Sequence, residues 1–188
     1  MKGRKIIYFI LMLLPLVVTL VLLPFFPEQI PAHYGADHQV TRWGSKWELL
    51  ILPAATLLMA GFFPLVAKLV RAAEPDGKNN EKVLLISGCA TLLLFNVMTG
   101  YFLYTAYHQL ENLSEFPVDI NRIVFVALGI VLIIVGNVMP KARMNSLCGL
   151  RTSWSMKNEV TWKKCQRFGG ISFIVAGAAM AVVSLLTN

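Results

Sequence analysis

Five stretches without a single Asp, Glu, Lys or Arg dominate this chain, at residues 6–27, 49–67, 83–107, 123–140 and 168–188. Each is long enough to cross a hydrocarbon core of about 30 Å as a helix, which takes roughly 20 residues at about 1.5 Å rise. Lipid offers backbone groups no partner, so each stretch must satisfy them internally, as a helix does. Composition removes the soluble alternative: 188 residues at 56% hydrophobic and 14% charged carry more apolar surface than one small core can hide. The expected fold is an all-α integral membrane protein, a single membrane domain over 1–188 with five transmembrane helices. The first stretch follows Lys2, Arg4 and Lys5 in the manner of a secretory signal. It is longer than a signal core of about 7–15 residues, and Glu28-Gln29-Ile30-Pro31 offers no small-x-small cleavage site, so a retained anchor is expected.

Basic residues set the expected orientation, because the connecting segments are short enough for the positive-inside bias to act. The N-terminal tail holds three (Lys2, Arg4, Lys5), residues 68–82 hold four (Lys68, Arg71, Lys78, Lys82), and residues 141–167 hold seven. Only Arg42, Lys46 and Arg122 fall on the other side. The N-terminus is therefore expected in the cytoplasm and the C-terminus outside a bacterial cell membrane. The net charge of +7 is thus accounted for by topology and by contact with anionic membrane lipids, and no direct nucleic-acid binding is expected. Cys89, Cys148 and Cys165 fall in lipid or on the reducing side and are expected as thiols.

Two connecting segments are rich in residues that do more than join helices. The first, an outer loop over 28–48, combines Pro27 and Pro31 with Gly35 and Gly44, and places Tyr34, Trp43 and Trp47 where amphipathic rings suit the headgroup zone. An extracellular cap over helices 1 and 2 follows. His33, Asp37 and His38 are metal-ligating types close in sequence, but loops of this size use such residues more often for caps and turns, and neither metal nor cofactor is expected. The second, a basic cytoplasmic interfacial segment over 141–167, has turn-like residues at Asn145 and Gly149. Ser153 or Ser155 is placed to cap a short interfacial helix with Glu159 in its first turn. Trp154 and Trp162 are expected at the headgroups. Arg151, with the N–H groups of the following turn, has the makings of an anion site, although a basic segment beside a membrane is also what topology alone requires.

Taken in order, these residues resemble the SdpI family of bacterial membrane proteins. The outer loop is similar to the N-terminal domain of unknown function found in many members, through Ile30-Pro31-Ala32-His33-Tyr34-Gly35 and Arg42-Trp43-Gly44-Ser45-Lys46. The second segment resembles the family's other signature through Gly149, Leu150, Arg151, Thr152, Trp154, Glu159, Trp162, Arg167, Gly169 and Gly170. The sequence departs from the pattern at His38, where the family often has Gly, at Val40 and Thr41, and at Cys165 and Gln166. The resemblance implies a membrane immunity protein, resistant to a secreted, bacteriocin-like peptide toxin and recruiting a cytoplasmic transcriptional repressor in signal transduction. His33, Gly35, Asp37, Arg42, Trp43 and Lys46, with the acidic Glu111, Glu115 and Asp119, would then meet the toxin. Asn145, Gly149, Arg151, Thr152, Trp154, Glu159, Trp162 and Arg167 would form the cytoplasmic motif.

A lipid-phosphate-binding or transport protein is the alternative. Against coupled transport, no ionisable carboxylate, Lys or Arg lies within the five stretches. Against an enzyme, no Ser/His/Asp set, nucleotide loop or paired carboxylates on one side is found, and His33 with Asp37 is the one acid/base candidate. Within the helices, Pro15, Pro24, Pro53 and Pro64 leave carbonyls free, Gly100, Gly129, Gly136 and Gly177 permit close helix contact, and Asn96 and Asn137 are expected to bond across helices.

Overall fold

A computed structural model of the chain describes residues 2–73, 77–115 and 118–186, with the side chains of residue 2 and of 73, 77, 78 and 79 left aside. The side chains of Lys2 and Lys78 from the charge tally, and the last two residues of the fifth apolar stretch, thus lie outside the described parts. Five long helices run α1 Lys2–Leu22, α2 Ile51–Ala73, α3 Gly77–Tyr107, α4 Ile120–Val138 and α5 Glu159–Leu186. All five are long and apolar enough to cross a membrane. Their large apolar residues, among them Phe9, Val21, Leu58, Phe62, Val175 and Leu186, stay more than half exposed, as lipid-facing side chains must.

Helix α3 is the hub: α1, α2 and α4 all pack on it, and α5 packs along α4. The prolines explain much of how α1, α2 and α3 are joined. Pro15 has no N–H to offer the carbonyl of Leu11 four residues earlier, and the Nδ2 group of Asn96 on α3 donates to that carbonyl at 2.8 Å. Pro64 likewise strands the carbonyl of Ala60, and the buried hydroxyl of Tyr8 on α1 donates to it, also at 2.8 Å. Gly88 makes this possible, since a Cβ there would come within 2.8 Å of the Tyr8 ring. Asn137 does not bond across helices as expected. It is exposed in the last turn of α4, one turn from Lys141, where it needs no protein partner.

The α4–α5 pair rests on glycines in antiparallel register. A Cβ on Gly129 would lie 2.6 Å from the carbonyl of Gly177, and one on Gly136 would lie 2.5 Å from that of Gly170. With seven residues between each pair on both helices, the backbones touch along one seam. Gly100 is different: nothing approaches its Cβ position within 4 Å, so it makes no close contact.

Two expectations are corrected by this architecture. The segment after α1 is not only a loop, because Gln29–Tyr34 (β1) and Val40–Ser45 (β2) pair as an antiparallel hairpin, a small β element in an otherwise helical chain. The last helix also starts at Glu159 rather than near residue 168, and what precedes it is a single 3-10 turn over Ser155–Lys157. Asn158 caps it, extended at φ −164, with its Oδ1 accepting from the N–H of Thr161 at 2.8 Å. Ser155 cannot serve because its hydroxyl is buried and used elsewhere.

Candidate functional site: a hairpin cap and an amide-clamped loop

The hairpin sits at the C-terminal end of α3. Gly35 receives the turn, with its N–H on the carbonyl of Gln39 at 2.8 Å, and His38 holds φ 64. That is the left-handed region glycine favours. Three further bonds stitch the hairpin to the segment after α3. The N–H of Val40 donates to the carbonyl of Glu111 at 2.9 Å, the N–H of Leu113 to that of His38 at 2.9 Å, and the Tyr34 hydroxyl to that of Leu110 at 2.9 Å. Burial pushes the Tyr34 phenol up, partly opposed by a hydrogen bond with Thr105, so the donor is kept.

Among the outer-loop candidates, those with a presented side chain separate from those with a local role. His33, Asp37, Arg42 and Trp43 are exposed. Lys46 is not free, since its Nζ sits 2.8 Å from the Glu28 carboxylate and its side chain is only 15% exposed. A Cβ on Gly35 would fall 2.5 Å from Asp37 Oδ1, so the exposed Asp37 side chain would have to shift to admit one. Arg42 forms a two-pronged bond with Glu48 at 3.0 and 2.8 Å, and this bond raises the Arg42 pKa. Behind that pair, Ile30, Pro31 and Leu49 face Leu52, Phe102 and Leu103 around an apolar cavity of about 200 Å³. The metal candidates are not assembled: His33 Nδ1 shares a 2.6 Å hydrogen bond with Thr41 Oγ1, and Asp37 accepts from the N–H of Gln39. Among the described residues no cluster of three His, Cys, Asp or Glu is suited to a metal.

The second motif lies at the opposite end of α3, which at 31 residues spans about 45 Å. Its interior is a set of fully used polar groups. Asn145, 2% exposed, donates to the carbonyls of Arg143 (2.8 Å) and Cys148 (3.0 Å) and accepts from the N–H groups of Leu147 (2.9 Å) and Cys148 (2.7 Å). Gln166 does for Leu150 what a neighbouring strand would do, accepting from its N–H at 3.0 Å and donating to its carbonyl at 2.9 Å. Gly149, at φ +102, lets the chain lie against this amide; a Cβ would come 2.8 Å from Gln166 Oε1 and 3.1 Å from the Trp162 ring. Trp162 is 1% exposed and donates through Nε1 to the carbonyl of Ala142 at 2.9 Å, so it is a buried wedge and not the headgroup anchor expected.

Gln166 is the residue that motif reasoning passed over, treated only as a departure from the family pattern. A signal was present: Trp162, Gln166, Gly169 and Gly170 recur at helical spacing on one face of α5, and all four are buried.

Around Arg151, four of the N–H groups expected to face an anion are already engaged within the loop. The N–H of Thr152 is taken by Ser155 Oγ at 2.8 Å, that of Ser155 by Thr152 Oγ1 at 3.0 Å, and those of Met156 and Lys157 by the carbonyls of Thr152 and Trp154. No backbone donor in this set remains for a ligand. What the loop does is display side chains: Arg151, Thr152, Ser153 and Trp154 are exposed over the clamped interior, with Lys157 Nζ 4.5 Å from the Trp154 ring centroid. Glu159 stands exposed in the first turn of α5, where its charge suits the helix dipole, and Arg167 is exposed one turn after Lys163.

Comparison with known proteins matches both segments. Residues 10–57 match the domain of unknown function DUF1648, and residues 141–188 match the SdpI/YfhL protein family. The chain is also similar to the protein named Immunity protein SdpI of Bacillus subtilis (strain 168), at 29% identity over 186 residues, covering 98% of this chain and 83% of that protein. No solved structure matches it.

Proposed function

Because the chain belongs to the SdpI/YfhL family, we propose that it is a membrane immunity protein that protects its cell from a secreted, membrane-active peptide. The carrying observation is the 200 Å³ apolar cavity beneath the hairpin, bordered by the Arg42–Glu48 pair. A membrane-active peptide is amphipathic, and this arrangement offers a slot for an apolar side chain beside paired charges for polar groups. The charge asymmetry of the connecting segments supports placing the hairpin outside, on the side from which such a peptide arrives, with the N-terminus in the cytoplasm.

Survival of sensitive bacteria challenged with a membrane-active peptide tests the reading, with variants compared at matched membrane levels. Wild type protects, while Leu52→Trp, which fills the cavity, and Arg42→Ala, which opens its border, protect at least about ten-fold less well, a loss corresponding to roughly 1.4 kcal/mol. Full protection by Leu52→Trp removes the cavity from the mechanism. No protection by wild type against a panel of such peptides removes the immunity reading.

Recruitment of a cytoplasmic repressor is a second reading favoured by the outward display of Arg151, Thr152 and Trp154. It is separable, since Arg151→Ala is expected to release a bound repressor while leaving survival unchanged.

A further inference from the structure

At the same end of the bundle as the clamped loop, but apart from Arg151, a second cavity of about 500 Å³ opens between the start of α1, α3, the turn after α4 and the first turns of α5. Arg4, Lys82, Lys141, Arg143 and Lys163 line it, and no Asp or Glu does. Among the described residues none of these five cations is in an ion pair. Glu81, next to Lys82 in sequence, is 3.6 Å from Arg71 and so is engaged elsewhere. Topology explains why basic residues lie at this end; it does not explain why five of them, from four separate segments, border one space without a counter-charge. Like charges around one opening repel, and a bound anion relieves that repulsion.

The remaining lining narrows the choice of anion. Val83, Ile86, Val138 and Pro140 give the cavity an apolar part beside its cationic rim. Arg4, Lys82 and Lys141 stand within two residues of the ends of the uncharged stretches 6–27, 83–107 and 123–140, with Arg143 and Lys163 a few residues further off, the position at which basic side chains reach a headgroup layer. On its Arg143 side, the fully buried Asn80 accepts the Arg143 N–H at 2.8 Å and pins that residue to α3. The Nδ2 of Asn80 has no partner, leaving one more donor unused next to this wall. We propose that this cavity binds a phosphate group, that of an anionic phospholipid, whose glycerol and upper acyl carbons meet the apolar lining.

The test uses the purified full-length chain in neutral detergent with tail-labelled phosphatidylglycerol and phosphatidylcholine as probes. Wild type is expected to hold phosphatidylglycerol about ten-fold more tightly than phosphatidylcholine. Lys82→Gln/Lys163→Gln should abolish that preference, whereas Lys157→Gln/Lys164→Gln, with the same loss of charge outside the cavity, should keep it. Lys82→Arg/Lys163→Arg should also keep it, which separates binding from damage to the fold. Equal loss in both glutamine doubles would mean diffuse surface attraction and overturn the site. Inorganic phosphate forms the second arm: if it binds with the same dependence on Lys82 and Lys163 and displaces the lipid, the ligand is a free phosphate and the lipid assignment fails.

Discussion

A glutamine amide carries the same donor and acceptor as a peptide group, and Gln166 spends both on Leu150 from within a helix. Leu150 has no other way to satisfy its N–H, because the turn at Gly149 takes the chain out of any ladder. The carbonyl of Leu150 accepts a second bond from Ser155 Oγ at 2.9 Å, so the amide, the hydroxyl and the loop form one network. Removing the amide leaves the N–H of Leu150 without its partner and the Leu150 carbonyl with Ser155 alone. Gln166→Ala is therefore expected to destabilise the protein by about 1–3 kcal/mol, read as a lower melting temperature in detergent. Gln166→Glu is expected to cost at least as much, since it loses the donor to Leu150 and buries a carboxylate against a carbonyl. An unchanged melting temperature for both variants would show that the loop is held without the clamp. Residue by residue, the signature was legible as a set but not as roles. Trp162 and Asn145 look in sequence like an interfacial ring and a turn former, yet both are buried. Burial at those positions is decided by how the loop folds back onto α5, which spacing alone does not encode.

At the scale of elements, Pro15 in α1 and Pro64 in α2 each export a carbonyl group to a neighbouring helix. In lipid a stranded carbonyl has no water to turn to, so a side chain one helix away becomes its partner. Asn96 serves Pro15 and Tyr8 serves Pro64, which couples the position of a proline to the identity of a residue far along the chain. A double-mutant cycle makes the coupling measurable. Asn96→Leu alone is expected to cost about 0.6 kcal/mol, with an upper range of about 1.7 kcal/mol. In a Pro15→Ala background the cost should shrink, because the alanine N–H then supplies the Leu11 carbonyl from within α1. Equal costs in the two backgrounds would show that the bond from Asn96 to the Leu11 carbonyl contributes nothing beyond its bond to Leu92 and its packing. The freed carbonyls and the polar Asn96 were readable from the sequence, but their pairing was not, since it depends on the relative height of α1 and α3. The five apolar spans were equally readable. The hairpin was not recognised, although Gly35, Gly44 and the alternation of Ile30 with Ala32 fit it, because prolines at 27 and 31 argue against a strand unless it is at an edge.

For the molecule as a whole, the two motifs lie at opposite ends of α3, and their separation dictates which partners can reach them. The hairpin is fastened to the C-terminal end of α3 through Tyr34, His38 and Val40, and the clamped loop to its N-terminal end through Asn80. A peptide on one side of the membrane and a repressor on the other would therefore communicate only through the bundle, with α3 as the shared element. This arrangement depends on orientation, which the distribution of Lys and Arg predicts. In intact cells, a membrane-impermeant maleimide should label Gln39→Cys, at the hairpin tip, in a background where Cys148 and Cys165 are replaced by Ser. Lys157→Cys in the same background, exposed beside Trp154, should be labelled only after the membrane is permeabilised. The reverse pattern would place the hairpin in the cytoplasm and the basic loop outside. A toxin would then meet Arg151 and Trp154, and the apolar cavity under the hairpin would lose its claim as the receiving site.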